Sequence, residues 1–450
     1  SEPLQPLSLR PQASAFHTTH QNHQTGKIII SSLGSAFSVQ GDFGRDSGPG
    51  GFVEVSEDTK TYVLEGLSSL SSGPYPQTIA NYEKLTGTDA NGVPYSPYNA
   101  ANLDPSAEPV LDEFQYDFVI NDCTNTLVCT SWGPPSSFDS GFATNRPYGV
   151  TIRVLKMPDE GDKAAHNPGQ PAGTPHNLTV AKTFETSFDL ANGGEGVVPL
   201  EVRRTHVPGD ETYFVGVTLP GALDLVYQDS NGQWQKEIIV TPADLVAHCT
   251  DASVVTDAPS SVPLFGELPI PLVTDITLSE DDRFLYVSCW LAGVLLQYDV
   301  RDPKNPVLVG GIGNLGGVTA VTPGTNSFNP NSYLFAAGKR YAGGPQMLRL
   351  DPAGYNIYVT NSLFSSWDDE FFPQASPPSG EDGSILTNGG MMIKLDTGVR
   401  RGERVGPMEI DVSFGEQGVI QYKDLQVETP DGLQTFTSRV HEGHIVGVRH

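Results

Sequence analysis

The sequence predicts an all-β fold of the β-propeller class with long inserted loops, and three observations carry that expectation. Short β-branched runs bounded by turn residues dominate the chain, as at 27–32, 126–132, 148–154 and 214–219. The last two alternate with the two-residue period of a strand. The 48 Gly and 36 Pro among 450 residues lie well above the roughly 12% usual for the pair, which disfavours a helical bundle. Finally, one strand–turn–strand formula occurs twice.

The elements follow in order. Lys27-Ile28-Ile29-Ile30 opens the first clear strand. Leu127-Val128-Cys129-Thr130 follows the polar turn Thr124-Asn125-Thr126, and the alternating runs at 148–154 and 214–219 come next. The first copy of the formula is Asp275-Ile276-Thr277-Leu278, the acidic turn Ser279-Glu280-Asp281-Asp282, and Phe284-Leu285-Tyr286-Val287. A third strand ending at Asp299 closes it. The second copy runs through Leu348-Arg349-Leu350, the turn Asp351-Pro352-Ala353-Gly354, Ile357-Tyr358-Val359 and a strand ending at Asp396. The copies are offset by 72 residues, from Tyr286 to Tyr358. Repetition of such a unit marks propeller blades, each sheet burying its faces against its neighbours. Two β-sandwiches account for the strands but not for the repeat. Almost no segment carries helical periodicity. Residues 1–450 therefore read as a single propeller domain, with insertions at about 66–112, 156–177, 249–266, 311–333 and 372–389. Loops of that length often carry sites.

Charge narrows the partners. With 26 Lys and Arg against 53 Asp and Glu the net charge is −27, a field that repels phosphate backbones and anionic membrane surfaces. Nucleic acid is not an expected partner. No apolar stretch of about 18 residues is present, so no membrane span is expected. The acidic balance, the start at Ser1-Glu2-Pro3 and the sequon Asn177-Leu178-Thr179 favour an exported, periplasmic or organellar chain over a cytoplasmic one. Four cysteines are too few for a disulfide scaffold. Cys123 and Cys129 could pair across a hairpin or be ordinary small strand residues.

Several constellations could carry chemistry. His17, His20 and His23 crowd one segment, and His441-Glu442-Gly443-His444 forms a second cluster. Imidazole suits zinc, copper and iron. His206 stands alone after a strand. The acidic groups at 159–162, 280–282, 368–370 and 381–382 could hold calcium, although none has EF-hand spacing. No nucleophile elbow, phosphate loop, zinc-protease helix or dinucleotide fingerprint occurs, so hydrolase, NTPase and Rossmann readings have no support.

Longer motifs carry a resemblance. The stretch from Leu272-Val273-Thr274-Asp275 through Asp281-Asp282-Arg283-Phe284 to Trp290 resembles the selenium-binding protein / methanethiol oxidase family. So do Gly338-Lys339-Arg340-Tyr341 through Gln346-Met347, Ser365-Ser366-Trp367-Asp368, His17-Thr18-Thr19-His20 and Pro199-Leu200-Glu201-Val202-Arg203. The resemblance covers nearly the whole chain. It implies seven blades and an oxidase that converts methanethiol, O₂ and water to formaldehyde, hydrogen sulfide and hydrogen peroxide with copper. Carried over by motif, it implies His17, His20, His206 and His441 as copper ligands. Glu442 would orient an imidazole or relay a proton. The chain lacks the family's His-His-x-Gly-Trp-Asn and Cys-Ser-Ser-Cys motifs. It has Cys289 and Ala292 where the family has Asn and His. A second polypeptide supplying the missing stretch is therefore expected to complete the ring, unless the loops at 66–112 replace it. The alternative function is a non-catalytic propeller that binds a partner or metal. A calcium-stabilised secreted propeller is a third reading.

Overall fold

The computed structural model describes residues 16–22, 27–32, 51–58, 61–68, 115–133, 148–157, 179–320, 327–334, 340–363, 365–372, 389–415, 418–421, 425–429 and 432–436. The chain divides into two compact units. The first holds residues 1–187 with 197–202, and the second holds 188–196 with 203–450.

The fold is all-β and of the β-propeller class, built from four-stranded antiparallel meanders that follow one another along the chain. In the first unit, strands β1 (Phe16–Asn22), β2 (Lys27–Ser32), β3 (Gly51–Asp58) and β4 (Thr61–Ser68) pair in sequence order. Strands β5 (Gln115–Asn121), β6 (Thr126–Ser131), β7 (Thr151–Lys156) and β8 (Thr179–Glu185) do the same. The boundary between units runs through β9 (Gly196–Arg204), which leads the next meander. That meander continues with β10 (Thr212–Pro220), β11 (Ala222–Gln228) and β12 (Trp234–Val240). Next comes β13 (Val273–Leu278), β14 (Phe284–Cys289), β15 (Val294–Asp299) and β16 (Val307–Ile312), with Val255–Thr256 added in parallel at the outer edge. The last such sheet is β17 (Leu348–Leu350), β18 (Asn356–Thr360) and β19 (Met391–Asp396). Its outer positions are filled by Glu409–Ile410 and Val419–Gln421. Among the described residues, five sheets thus have four or five strands each.

Packing explains the near-continuous apolar strands. On β14, Leu285, Val287 and Cys289 face a core that includes Phe214, Leu223 and Leu225. Phe284 and Tyr286 face the opposite core with Leu348, Ile357, Val359 and Ile393. The sheet is buried on both faces, as a blade between two neighbours must be. Each fully buried aliphatic side chain here contributes about 1.5–3 kcal/mol relative to exposure.

The same polar device ties successive first strands together. The backbone N–H groups of Thr18, Asp117, Asp275 and Met347 donate to the hydroxyls of Ser31, Thr130, Ser288 and Thr360, each 13 residues ahead. In three of these sheets the first strand carries an irregularity beside that residue, where a bulge's extra residue leaves a backbone donor without a ladder partner. Each of the first three hydroxyls then reaches the next sheet. Ser31 donates to the Tyr116 carbonyl (3.0 Å), Thr130 to Leu200 and Ser288 to Gln346 (2.8 Å). The two aspartates add a second tie, accepting from the N–H of Val202 (3.0 Å) and of Leu348 (2.6 Å).

Among the described residues two α-helices appear where no helical period is legible. Helix α1 (Pro242–Cys249) starts at a capping box in which Thr241 and Asp244 bond reciprocally, with Pro242 at its first turn. Helix α2 spans Ser365–Phe371. Two of the segments expected as loops contain short paired strands, Leu264–Phe265 within 249–266 and Val318–Ala320 within 311–333. All four cysteines are free thiols, Cys123 exposed and Cys129 buried. Among the described residues no helix is long and apolar enough to cross a membrane.

Candidate functional site

His206 sits in the turn that joins β9 to β10. That turn is pinned by Thr205, whose N–H donates to the Thr212 carbonyl and whose hydroxyl donates to Asp210 at 2.6 Å. Opposite it, Asp282 occupies the turn between β13 and β14 with φ of 57°, a left-handed conformation that Asp tolerates. Its carboxylate accepts the His206 backbone N–H at 2.9 and 2.8 Å and the ring Nδ1 at 2.7 Å. Nε2 lies 3.9 Å from Glu280. The Asp282 hydrogen bond raises the His206 pKa, burial opposes it, and the charges of Asp282 and Glu280 add to the rise.

This arrangement tests whether His206 suits a metal. An imidazole whose Nδ1–H is held by a carboxylate presents Nε2 in a fixed orientation, the usual support of a ligating histidine. The donor type fits copper. The raised proton affinity means that a metal would compete with a proton for Nε2.

The other expected ligands are placed as follows. His17 and His20 both lie on β1, in the first unit. An irregularity in the pairing with β2 falls between Phe16 and Thr19. The His20 ring packs edge-on against Phe118 with centroids 4.9 Å apart. The His17 side chain, His441 and Glu442 lie outside the described residues. Among the described residues no group of three or more His, Cys, Asp or Glu side chains is placed to hold a metal.

Of the acidic groups, 159–162 and 381–382 lie outside the described residues, and in each of the other two an aspartate has other partners. Asp281 accepts the Ser279 hydroxyl at 2.7 Å. Asp368, buried at the second residue after Ser366, accepts the Ser362 hydroxyl (2.5 Å) and the Leu363 N–H (3.0 Å). These bonds hold turns and loop ends.

The longest motif residues likewise join loops. Trp290 packs edge-on against Phe371 (5.7 Å) and Phe372 (4.9 Å). A Cβ on Gly344 would stand 1.9 Å from the Trp290 carbonyl oxygen, so only glycine fits there. Asn361 is fully buried; its amide donates to Ala342 (2.9 Å) and Gly389 (3.3 Å) carbonyls, and its oxygen accepts the Met391 N–H (2.8 Å). Nothing in the sequence singles out Asn361, because one Asn after a strand reads as a turn residue. In the sequence Asp282 reads as a turn acid, since nothing local links it to a histidine 76 residues away. Cys289 and Ala292, the positions that depart from the family pattern, are packed in the apolar core beside Val287 and Val294.

Comparison with known proteins agrees with these motifs. The family described as "56kDa selenium binding protein (SBP56)" matches residues 106–435. A methanethiol oxidase of Xenopus tropicalis is 29% identical over 413 residues, covering 89% of this chain and 67% of that protein. A methanethiol oxidase of Xenopus laevis is 32% identical over 313 residues, or 68% of this chain and 56% of that protein. Selenium-binding protein 1 of Arabidopsis thaliana is 30% identical over 68% of this chain and 54% of its own length. The chain thus spans between about half and two thirds of these relatives. In fold it is similar to a hypothetical selenium-binding protein from Sulfolobus tokodaii, with a TM-score of 0.55, 24% identity and coverage of 96% of this chain and 73% of that one.

Proposed function

The chain belongs to the 56 kDa selenium-binding protein family, and from that premise we propose that it is an oxidoreductase of the methanethiol-oxidase type, acting on a small thiol. The observation that carries this reading is the similarity to curated methanethiol oxidases across 89% of the chain. His206, oriented through Nδ1 by Asp282, supports it. In this reading copper is held by imidazoles drawn from His17, His20, His206 and His441. Bound copper would supply a soft centre for thiol sulfur and redox exchange with O₂. Asp282 fixes the His206 tautomer and ring plane. Glu442, next to His441 in sequence, would orient that imidazole or move a proton.

A second reading is favoured by one observation. Cys289 and Ala292 are built into the core between β14 and β15. The chain would then be a non-catalytic member that binds a metal or partner. Elemental analysis after copper loading and desalting tests the proposal. Near-stoichiometric copper in the wild type, reduced in His206→Ala, supports it. Equal copper in both, or none in either, removes His206 from the ligand set.

A further inference from the structure

We propose that Cys249 and Cys289 form a buried dithiol that hydrogen peroxide closes to a disulfide, a modification site joining helix α1 to strand β14. Cys249 is the last residue of α1 and Cys289 the last residue of β14, and both are fully buried. They belong to one apolar cluster, with Leu245, Val287 and Tyr298. Cys289 stands in register with Val273 and Val294, so its position on the sheet is set by two neighbouring strands. The end of α1 is set by the next side chain back, since the His248 Nδ1 and the Tyr298 hydroxyl lie 2.9 Å apart. Burial pushes the Cys289 thiol well above its ordinary pKa, and hydrogen bonding with the Cys249 thiol pushes it the same way. Tyr298 is raised by burial and then by both sulfurs. Both thiols thus sit fully buried in one dry apolar cluster. Cys129 is just as buried, but its charged neighbour is Arg153 rather than a second thiol.

Neutral buried thiols react slowly, so access depends on local opening. Helix α1 suits that role. It is eight residues long and buries two side chains, Leu245 and Cys249. Elements anchored by few buried contacts open at lower cost than the whole fold. On opening, one thiol loses its proton and the thiolate attacks a peroxide oxygen. The O–O bond breaks, and hydroxide leaves and is protonated to water. The resulting sulfenic acid is attacked by the second thiol; the S–O bond breaks, the S–S bond forms and a second water leaves. Two thiols lose two electrons and two protons in all, and one peroxide becomes two waters. The product fastens α1 to the blade and removes the opening that allowed it to form. This inference does not depend on the proposed thiol oxidation, because the peroxide can come from any source.

The test is peptide mapping of the full chain carrying Cys123→Ser, which removes the exposed thiol. The folded protein is treated with hydrogen peroxide, unfolded in alkylating reagent and digested without reductant. The expected result is a cross-linked pair of peptides carrying Cys249 and Cys289, two hydrogens lighter than their sum and separated by reductant, with Cys129 alkylated. Alkylation of both Cys249 and Cys289 would show inert core thiols and overturn the proposal. So would sulfinic or sulfonic acid at either without the cross-link. Equal oxidation of Cys129 would show that global unfolding, not opening of α1, exposes the thiols.

Discussion

Asp282 holds His206 at two points, accepting both its backbone N–H and its ring Nδ1, the latter at 2.7 Å. The two residues lie 76 positions apart and join the β9–β10 turn to the β13–β14 turn. A histidine so held has one nitrogen left for a ligand. Asp282→Ala should lower copper affinity by about 10–100-fold, the usual cost of losing a ligand-orienting carboxylate. Competition with a copper chelator measures it, and an unchanged affinity would show that Nε2 is not a ligating atom.

A second prediction concerns pH. Lys236 lies between Glu195 and the fully buried Asp224, 3.2 Å from the latter. Burial raises the Asp224 pKa from 3.8 to about 7, with Lys236 opposing and Glu195 adding. The folded state therefore binds this proton more tightly than the unfolded chain does. Asp224's contribution to stability is full below its unfolded pKa and is lost as pH rises through about 7. The unfolding free energy from denaturant titrations should fall between roughly pH 4 and 7, with a slope approaching about 1.4 kcal/mol per pH unit from this group. Asp224→Asn should flatten that slope. An undiminished slope in the variant would assign the dependence to other carboxylates.

The ties between blades make a third prediction. Asp275 is fully buried, bonds Arg203 at 2.8 Å and accepts the Leu348 N–H at 2.6 Å. Asp275→Ala should destabilise by about 3 kcal/mol or more, because it removes two hydrogen bonds to a buried carboxylate, each worth about 1.5–3 kcal/mol. Ser288→Ala removes only neutral hydrogen bonds and should cost about 1–3 kcal/mol. Equilibrium unfolding should preserve that order; a costlier Ser288→Ala would mean that the bulge, not the charge, holds the blades.

Helix α1 offers a smaller, cleaner test. Thr241→Ala breaks a capping box whose two bonds are both present, and should cost about 1 kcal/mol. Amide exchange should quicken first across 242–249. Uniform quickening over the second unit would show that the helix does not open by itself.

The sequence and the structure meet most closely in the repeat. The 72-residue offset legible at Tyr286 and Tyr358 is the same offset that separates Ser288 from Thr360, the hydroxyls that fill equivalent positions. The 13-residue pairing itself was not legible, because Thr18, Asp117, Asp275 and Met347 share a backbone role and not a side-chain type. Helix α1 carried its signal in Thr241-Pro242-Ala243-Asp244, but eight residues are too few to show a helical period. At the candidate site, residue type and motif point to His206 as an expected ligand. Its carboxylate could be found only in three dimensions, since the turns that hold the pair come together only when the strands pack.

The most direct measurement is turnover by the copper-loaded full chain given methanethiol and O₂. Thiol should be consumed only when O₂ is present, hydrogen sulfide and hydrogen peroxide should accumulate together, and chelation or His206→Ala should abolish both. Persistent methanethiol, with copper bound and the fold intact, would contradict the oxidase reading and leave a propeller that binds without catalysing.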